Sequence, residues 1–225
     1  LYSLYITNGH ARNKKDATAV QSYFQSQLPE NSHEIKGFYE QLYLFQSYCW
    51  VSFILQDFLM YYRYSKKWVD LFKSSPEMAS LESIHYIKGM HNLLSAHFDL
   101  QNYNKFNETL QIFEEYAASD IVRLNINNQI QVFVYLTISK INKHFMEGTF
   151  KEGLLLVPEI EKNIEEYEIY LDRHRVLVFY YKIASLYFGS GDYATSIDYL
   201  QKIINWKVDL RTDLQCYARL LHLIA

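Results

Sequence analysis

The sequence predicts an all-α fold, an α–α superhelix of stacked antiparallel helical hairpins, from three observations. First, a phenylalanine followed five positions later by another aromatic ring recurs in register along the chain, as Phe53/Phe58, Phe98/Tyr103, Phe145/Phe150 and Phe188/Tyr193, at intervals of 45, 47 and 43 residues. A recurring period of that length marks one supersecondary module repeated along the chain. Second, the 225 residues include 21 Tyr and 14 Phe but only 7 Gly and 3 Pro. So few breakers imply long uninterrupted elements and argue against an all-β fold with many tight turns. Third, apolar residues between the aromatic pairs recur at three- and four-residue spacing, as helices with a buried stripe require.

Taken in order, Lys14 to Leu28 reads as the second helix of an incomplete unit, with Ala17, Val20, Phe24 and Leu28 apolar and Pro29 closing it. Leu42, Phe45, Cys49 and Phe53 then share a helical face that Trp50 and Ile54 widen, and Tyr61, Trp68, Val69 and Phe72 form the next, ended by Pro76. The second unit places helices at about Leu81–Leu100 and Asn104–Ala118. The stretch Ile121 to Leu136 alternates apolar residues in a strand-like way and is rich in β-branched side chains. Its continuation through Val134, Ile138, Ile141 and Phe145 at helical spacing makes it a helix from about Asn127. The fourth unit spans helices at about Asp172–Phe188 and Tyr193–Trp206, and Thr212–Ala225 reads as the first helix of a unit that does not finish. Units are expected at about 32–76, 77–120, 121–169 and 170–208, with partial units at 1–31 and 209–225. Each aromatic segment falls where one helix ends and the next begins. Gly191-Asp192 offers a glycine able to take positive φ beside a good N-cap, and Gln56-Asp57 and Gln101-Asn102 repeat that chemistry in weaker form.

Hydrophobic residues at 49% and charged residues at 21% fit a globular chain with a sizeable core. The net charge of -3 is spread without a basic stripe, so nucleic acid is not an expected partner. No apolar run approaches a membrane span. Cys49 and Cys216 form no CxxC pair and read as buried thiols of a reducing, cytoplasmic compartment. The chain starts without Met and inside a helical pattern (Leu1, Leu4, Tyr5), as a piece of a longer protein would.

The segment Tyr187-x3-Gly191-Asp192-Tyr193-x2-Ser196-Ile197-x-Tyr199-Leu200-x2-Ile203 resembles the turn and second helix of a tetratricopeptide repeat. Ala184 stands at that family's small position on the first helix, and Ser196 at the small position on the second. The third unit keeps Gly148, Phe150 and Gly153 at equivalent places, whereas Tyr61 and Phe106 replace the small residue in the first two, and the period exceeds the family's 34 residues. The resemblance implies a tetratricopeptide-like solenoid with extended helices over nearly the whole chain.

Chemistry-bearing residues read mostly as structure. His85, His91 and His97 are spaced six apart and cannot converge on one helical face, so no metal is implied. His97 and His144 hold equivalent repeat positions that suit packing between helices. Glu159, Glu161, Glu165, Glu166, Glu168 and Asp172 lie with Lys162 along one amphipathic helix whose buried face is Ile160 and Ile164, a solvated acidic face rather than a catalytic pair. No GxSxG, P-loop or GxGxxG occurs, and neither an enzyme nor a cofactor is expected. The eight recurrent rings, equivalent in every unit, are expected to be core that staples the hairpins together.

In tetratricopeptide arrays the first helices line a concave groove, so the resemblance places a binding strip at Tyr43, Gln46 and Trp50, then Lys88, His91 and Ser95, then Tyr135, Ile138 and Asn142, and finally Tyr181 and Ser185. Its mixture of aromatic, amide and hydroxyl groups suits an extended peptide or protein segment, with Trp50 and Tyr181 as anchors. The expected function is a non-catalytic protein- or peptide-binding scaffold. The alternative is a sensory domain that closes on a small peptide or small molecule and controls an attached output domain.

Overall fold

In a computed structural model, which describes residues 1, 3, 7, 9–28, 35–206 and 210–225, every regular element among the described residues is helical. Leu4, Tyr5, Pro29 and the unit boundaries expected near 31 and 208 lie outside the described residues. The chain divides into two compact units, Leu1–Phe113 and Glu114–Ala225.

The first unit contains α1 (Lys14–Gln27), α2 (Phe38–Ile54), α3 (Phe58–Ser74), a single turn α4 (Met78–Leu81), α5 (Ser83–Asp99) and most of α6 (Tyr103–Ala117). Asn13 caps α1 by accepting from the Asp16 N–H at 2.9 Å, and Val20 and Phe24 are its buried residues. Helix α2 is buried on two sides. Val51 and Ile54 cluster with Val20 and Phe24, while Leu42 and Cys49 cluster with Tyr61, Trp68 and Phe72. Contacts between α2 and α3 pair falling with rising residue numbers, as in Phe53–Tyr61, Tyr48–Tyr64 and Phe38–Phe72, so the hairpin is antiparallel. Helix α5 then packs antiparallel on α3, with Tyr61 reaching Asn92 and Phe72 meeting Tyr86.

The second unit contains the turn α7 (Asp120–Arg123), α8 (Ile126–Glu147), the turn α9 (Phe150–Gly153) followed by a 3-10 turn at 154–156, α10 (Val157–Glu166), α11 (Arg173–Ser190), α12 (Tyr193–Ile204) and α13 (Thr212–Ile224). The strand-like stretch is helical because α8, like α2, is covered on two faces. Ile130, Val134, Ile138 and Ile141 join the main core, whereas Val132 and Leu136, also buried, face the cavity beside Ala117 and Val122. Two opposed buried stripes on one helix produce a near-alternating pattern without a strand.

One turn is built four times. Gln56, Gln101, Gly148 and Gly191, each three residues after the first ring of its pair, have φ of 58°, 53°, 69° and 90°. The following residue closes each helix with the same long backbone bond: Asp57 N–H to Ser52 O at 2.9 Å, Asn102 to His97 at 2.8 Å, Thr149 to His144 at 3.1 Å and Asp192 to Tyr187 at 3.0 Å. That is a left-handed C′ residue with a Schellman bond. The residue making it also caps the next helix in three cases, Asp57 accepting from Met60, Asn102 from Lys105 and Asp192 from Thr195. The backbone bond and side-chain bond from Thr195 hold the Asp192 carboxyl below the usual range.

A side chain with a Cβ strains this conformation, so Gln56→Gly and Gln101→Gly are each expected to raise the unfolding free energy by about 0.5–1 kcal/mol. Gly148→Ala and Gly191→Ala are expected to lower it by a similar amount. An added Cβ meets nothing within 4 Å at either glycine, so backbone strain alone is measured. Urea midpoints check both; a destabilised Gln→Gly variant would overturn the shared-turn account.

The rings themselves require a correction. Phe58, Tyr103 and Tyr193 are 41%, 41% and 49% exposed, because each is the first residue of its second helix and lies over the turn rather than between helices. Phe145 and Phe188 do contact their partners, with ring centroids 6.1 and 5.3 Å apart. The hairpin interior is instead formed one turn further in on each helix. Cys49, Leu94, Ile141 and Ala184 are buried on the first helices, and Tyr61, Phe106, Gly153 and Ser196 on the second. The Ser196 hydroxyl donates to the Ala184 carbonyl at 2.9 Å, so two small residues bring α11 and α12 together. An ideal Cβ on Gly153 would stand 2.7 Å from Leu186 Cδ2, and one on Gly189 would stand 2.3 Å from the Phe150 ring. Gly189→Ala is therefore expected to force Phe150 aside and destabilise by about 1–3 kcal/mol, readable in thermal denaturation.

Two further expectations change. Cys49 is buried and its thiol is pushed up to about 12 by burial, but Cys216 is exposed, because only Leu214 and Ala218 of α13 are covered. The acidic cluster is not one helix. Helix α10 stops at Glu166, Asp172 caps α11, and Glu161 accepts the Tyr199 hydroxyl.

Candidate functional site

First helices of successive hairpins lie side by side within each unit. In the first, Tyr39 Oη donates to Glu82 Oε1 at 2.9 Å and the Tyr43 ring stands edge-on to His85 at 6.0 Å, so α2 and α5 run parallel with an offset of about one repeat. The hydrogen bond to the Glu82 carboxylate raises the Tyr39 hydroxyl's pKa. Of the residues expected on this face, Tyr43 is exposed, while Gln46, Trp50, Lys88, His91 and Ser95 are half-buried. The Lys88 carbonyl accepts from Asn92 Nδ2 at 2.6 Å, and Asn92 Oδ1 accepts the Tyr61 hydroxyl at 2.8 Å, which ties the strip to α3 behind it.

In the second unit α8 and α11 are joined the same way by a polar ladder. Arg175 Nη2 donates to Gln131 Oε1 at 3.2 Å and to the Tyr135 hydroxyl at 3.3 Å, with its guanidinium 5.3 Å from the Tyr135 ring centre. Its Nε lies 3.4 Å from Asp172. Two turns along α11, Lys182 Nζ donates to Asn142 Oδ1 at 2.6 Å and lies 5.3 Å from the Phe145 ring centre. Beside Lys182 stands Tyr181, whose hydroxyl is shifted upward by burial and by Tyr217, and one turn further along α11 the Ser185 hydroxyl bonds back to the Tyr181 carbonyl at 2.8 Å.

The strip therefore splits in character. Tyr135 and Asn142 fall on the ladder, Asn142 as a buried acceptor rather than an open contact, while Tyr181 and Ser185 stand beside it on α11. Ile138 is 8% exposed and belongs to the core, because α8 is covered on that side. Arg175 and Lys182 were not among the expected residues. Their seven-residue spacing on one helix was the available signal, since positions two turns apart share a face. Among the described residues no group of three or more His, Cys, Asp and Glu is placed to hold a metal ion.

A cavity of about 390 Å³ opens between α7, α8 and α10, lined by Val122, Val132, Phe133, Leu136, Lys140 and Glu159. Lys140 at its margin lies 3.5 Å from Glu114. No described helix is long and apolar enough to cross a membrane. No protein-family model matches the chain significantly, and neither does a curated protein or a solved structure.

Proposed function

We propose that this chain is a non-catalytic, tetratricopeptide-like helical repeat scaffold that binds an extended protein or peptide segment along the faces of its first helices. The observation that carries this reading is the α8–α11 ladder, where Arg175 and Lys182 stand two turns apart on α11, with Tyr181 next to Lys182. Two cations two turns apart with an amphipathic ring beside one of them offer carboxylate recognition together with an aromatic anchor. The four-fold turn and the parallel alignment of first helices within each unit support a solenoid arrangement.

Selection of a displayed random peptide library against the folded chain tests it. Selected peptides are expected to carry acidic residues and to bind Lys182→Met at least about tenfold more weakly, with the far-UV helical signal unchanged. Trp50→Ala is expected to weaken binding of those that span the first unit. Failure to select any peptide, or selection of peptides indifferent to Lys182, would overturn the reading.

The cavity beside α8 favours a second reading, a sensory domain that binds a small molecule, since its volume falls in the range of small-ligand sites. Thermal stabilisation by a low-molecular-weight compound, abolished by Leu136→Trp, would select it over the scaffold.

A further inference from the structure

A different part of the second unit holds a lysine ammonium against an aromatic wall. Lys202 Nζ lies 4.3 Å from the centre of the Tyr199 ring and 5.2 Å from that of Tyr180. Tyr180 in turn stands 6.0 Å from Tyr199 and 6.3 Å from Trp206. Tyr187 stacks behind Tyr199 at 5.7 Å with 16° between the planes, and Glu161 accepts the Tyr199 hydroxyl. Lys202 and Tyr199 are three residues apart on α12, so helix geometry alone brings them together. It does not account for Tyr180, which comes from α11, or for Trp206 beyond the end of α12.

Rings from two helices facing one ammonium, with a carboxylate behind them, form the arrangement that attracts soft cations through the ring quadrupole. Lys202 is itself exposed and Tyr199 is 6% exposed, so the aliphatic stem of Lys202 covers the ring it sits on. A methylated ammonium suits such a wall better than a primary one, because its hydration is weaker and its methyl groups gain apolar contact as well.

We propose that the Tyr180–Tyr199–Trp206 wall is a binding site for quaternary ammonium groups, with Lys202 as its built-in occupant and competitor. The site does not depend on the peptide-binding reading above. Its ligand is a trimethylated ammonium, carried either by a free small molecule or by a methylated lysine side chain.

The test follows the Trp206 indole N–H in a ¹H–¹⁵N spectrum, assigned by its loss in Trp206→Leu. Tetramethylammonium chloride is expected to shift this signal saturably in Lys202→Ala, with an affinity about tenfold above that for the unsubstituted protein. The neutral isostere 3,3-dimethylbutan-1-ol is expected to leave it in place. Choline and a peptide containing trimethyllysine then separate the two sources: equal affinity points to a free ligand, and tighter peptide binding to a modified protein. Absence of a saturable shift in Lys202→Ala, or an equal shift from the neutral alcohol, overturns the proposal. Lys202→Gln provides a second variant in which the helical signal is preserved if alanine disturbs α12.

Discussion

Replacing Asp213 by alanine is expected to lower the unfolding free energy by about 3–5 kcal/mol. Arg211, at the N-cap of α13 with φ 45°, sends a guanidinium that is only 9% exposed onto the Asp213 carboxylate, itself 10% exposed. The contact is bidentate, Nε to Oδ1 and Nη2 to Oδ2, both at 2.8 Å. Such a fork satisfies two donors at once, but its net value is small because both ions have left water. Removing one partner is another matter, since both hydrogen bonds of the fork are lost while the guanidinium stays buried. The double variant Arg211→Met with Asp213→Leu removes both charges and is expected to lie within about 1–2 kcal/mol of the parent. Urea denaturation of the single and double variants measures the difference. A single variant that loses less than about 1 kcal/mol would mean the pair behaves as a surface ion pair.

This pair was not legible in the sequence, and the reason separates what can be read from what cannot. The hairpin turns were readable because their chemistry is local: a glycine suited to positive φ in two of the four, and an Asp or Asn that caps the next helix in three. Gln56 and Gln101 adopt the same left-handed geometry as Gly148 and Gly191, so register outweighed residue type. The buried faces of α3 were readable for a similar reason, as Tyr61, Trp68, Val69 and Phe72 follow one stripe. Helices covered on two sides defeat that logic. In α8 the alternation of Ile130, Val132, Val134, Leu136 and Ile138 records burial on opposite faces, and Ile138 consequently left the expected binding strip for the core. Partners distant in sequence were harder still. Arg175 with Tyr135 and Lys182 with Asn142 meet across 40 residues, and a strip drawn by register alone takes in Tyr135 and Asn142 but misses both cations. The aromatic pairs located the turns correctly but not their own burial, because the first residue of a helix stands at the hairpin's end and not in its interior.

Acidification should expose a second consequence of the Arg211 neighbourhood. His174, 9% exposed at the start of α11, has its pKa lowered to about 4, first by burial and then by the charge of Arg211. Arg175 on its own helix lowers it further, while Asp172 and Asp213 pull it back up. The imidazole is thus neutral in the folded chain over a range where the unfolded chain, with a histidine near 6.5, already binds a proton. The unfolded state then carries more protons between about pH 6.5 and 4, so the contribution is fully present above pH 6.5 and is lost as pH falls towards 4. Over that window the loss amounts to about 3 kcal/mol. His97 is also buried with its pKa lowered, so the total acid sensitivity is larger than the share of His174. His174→Gln isolates that share: the difference between its unfolding free energy and the parent's should shrink by about 3 kcal/mol between pH 7 and 4. In Asp213→Ala the nearby negative charge that favours the imidazolium is gone, so the same transition moves to lower pH while the overall stability drops. A His174→Gln profile parallel to the parent's across pH 7 to 4 would show instead that the imidazole already exchanges protons with solvent in the folded chain.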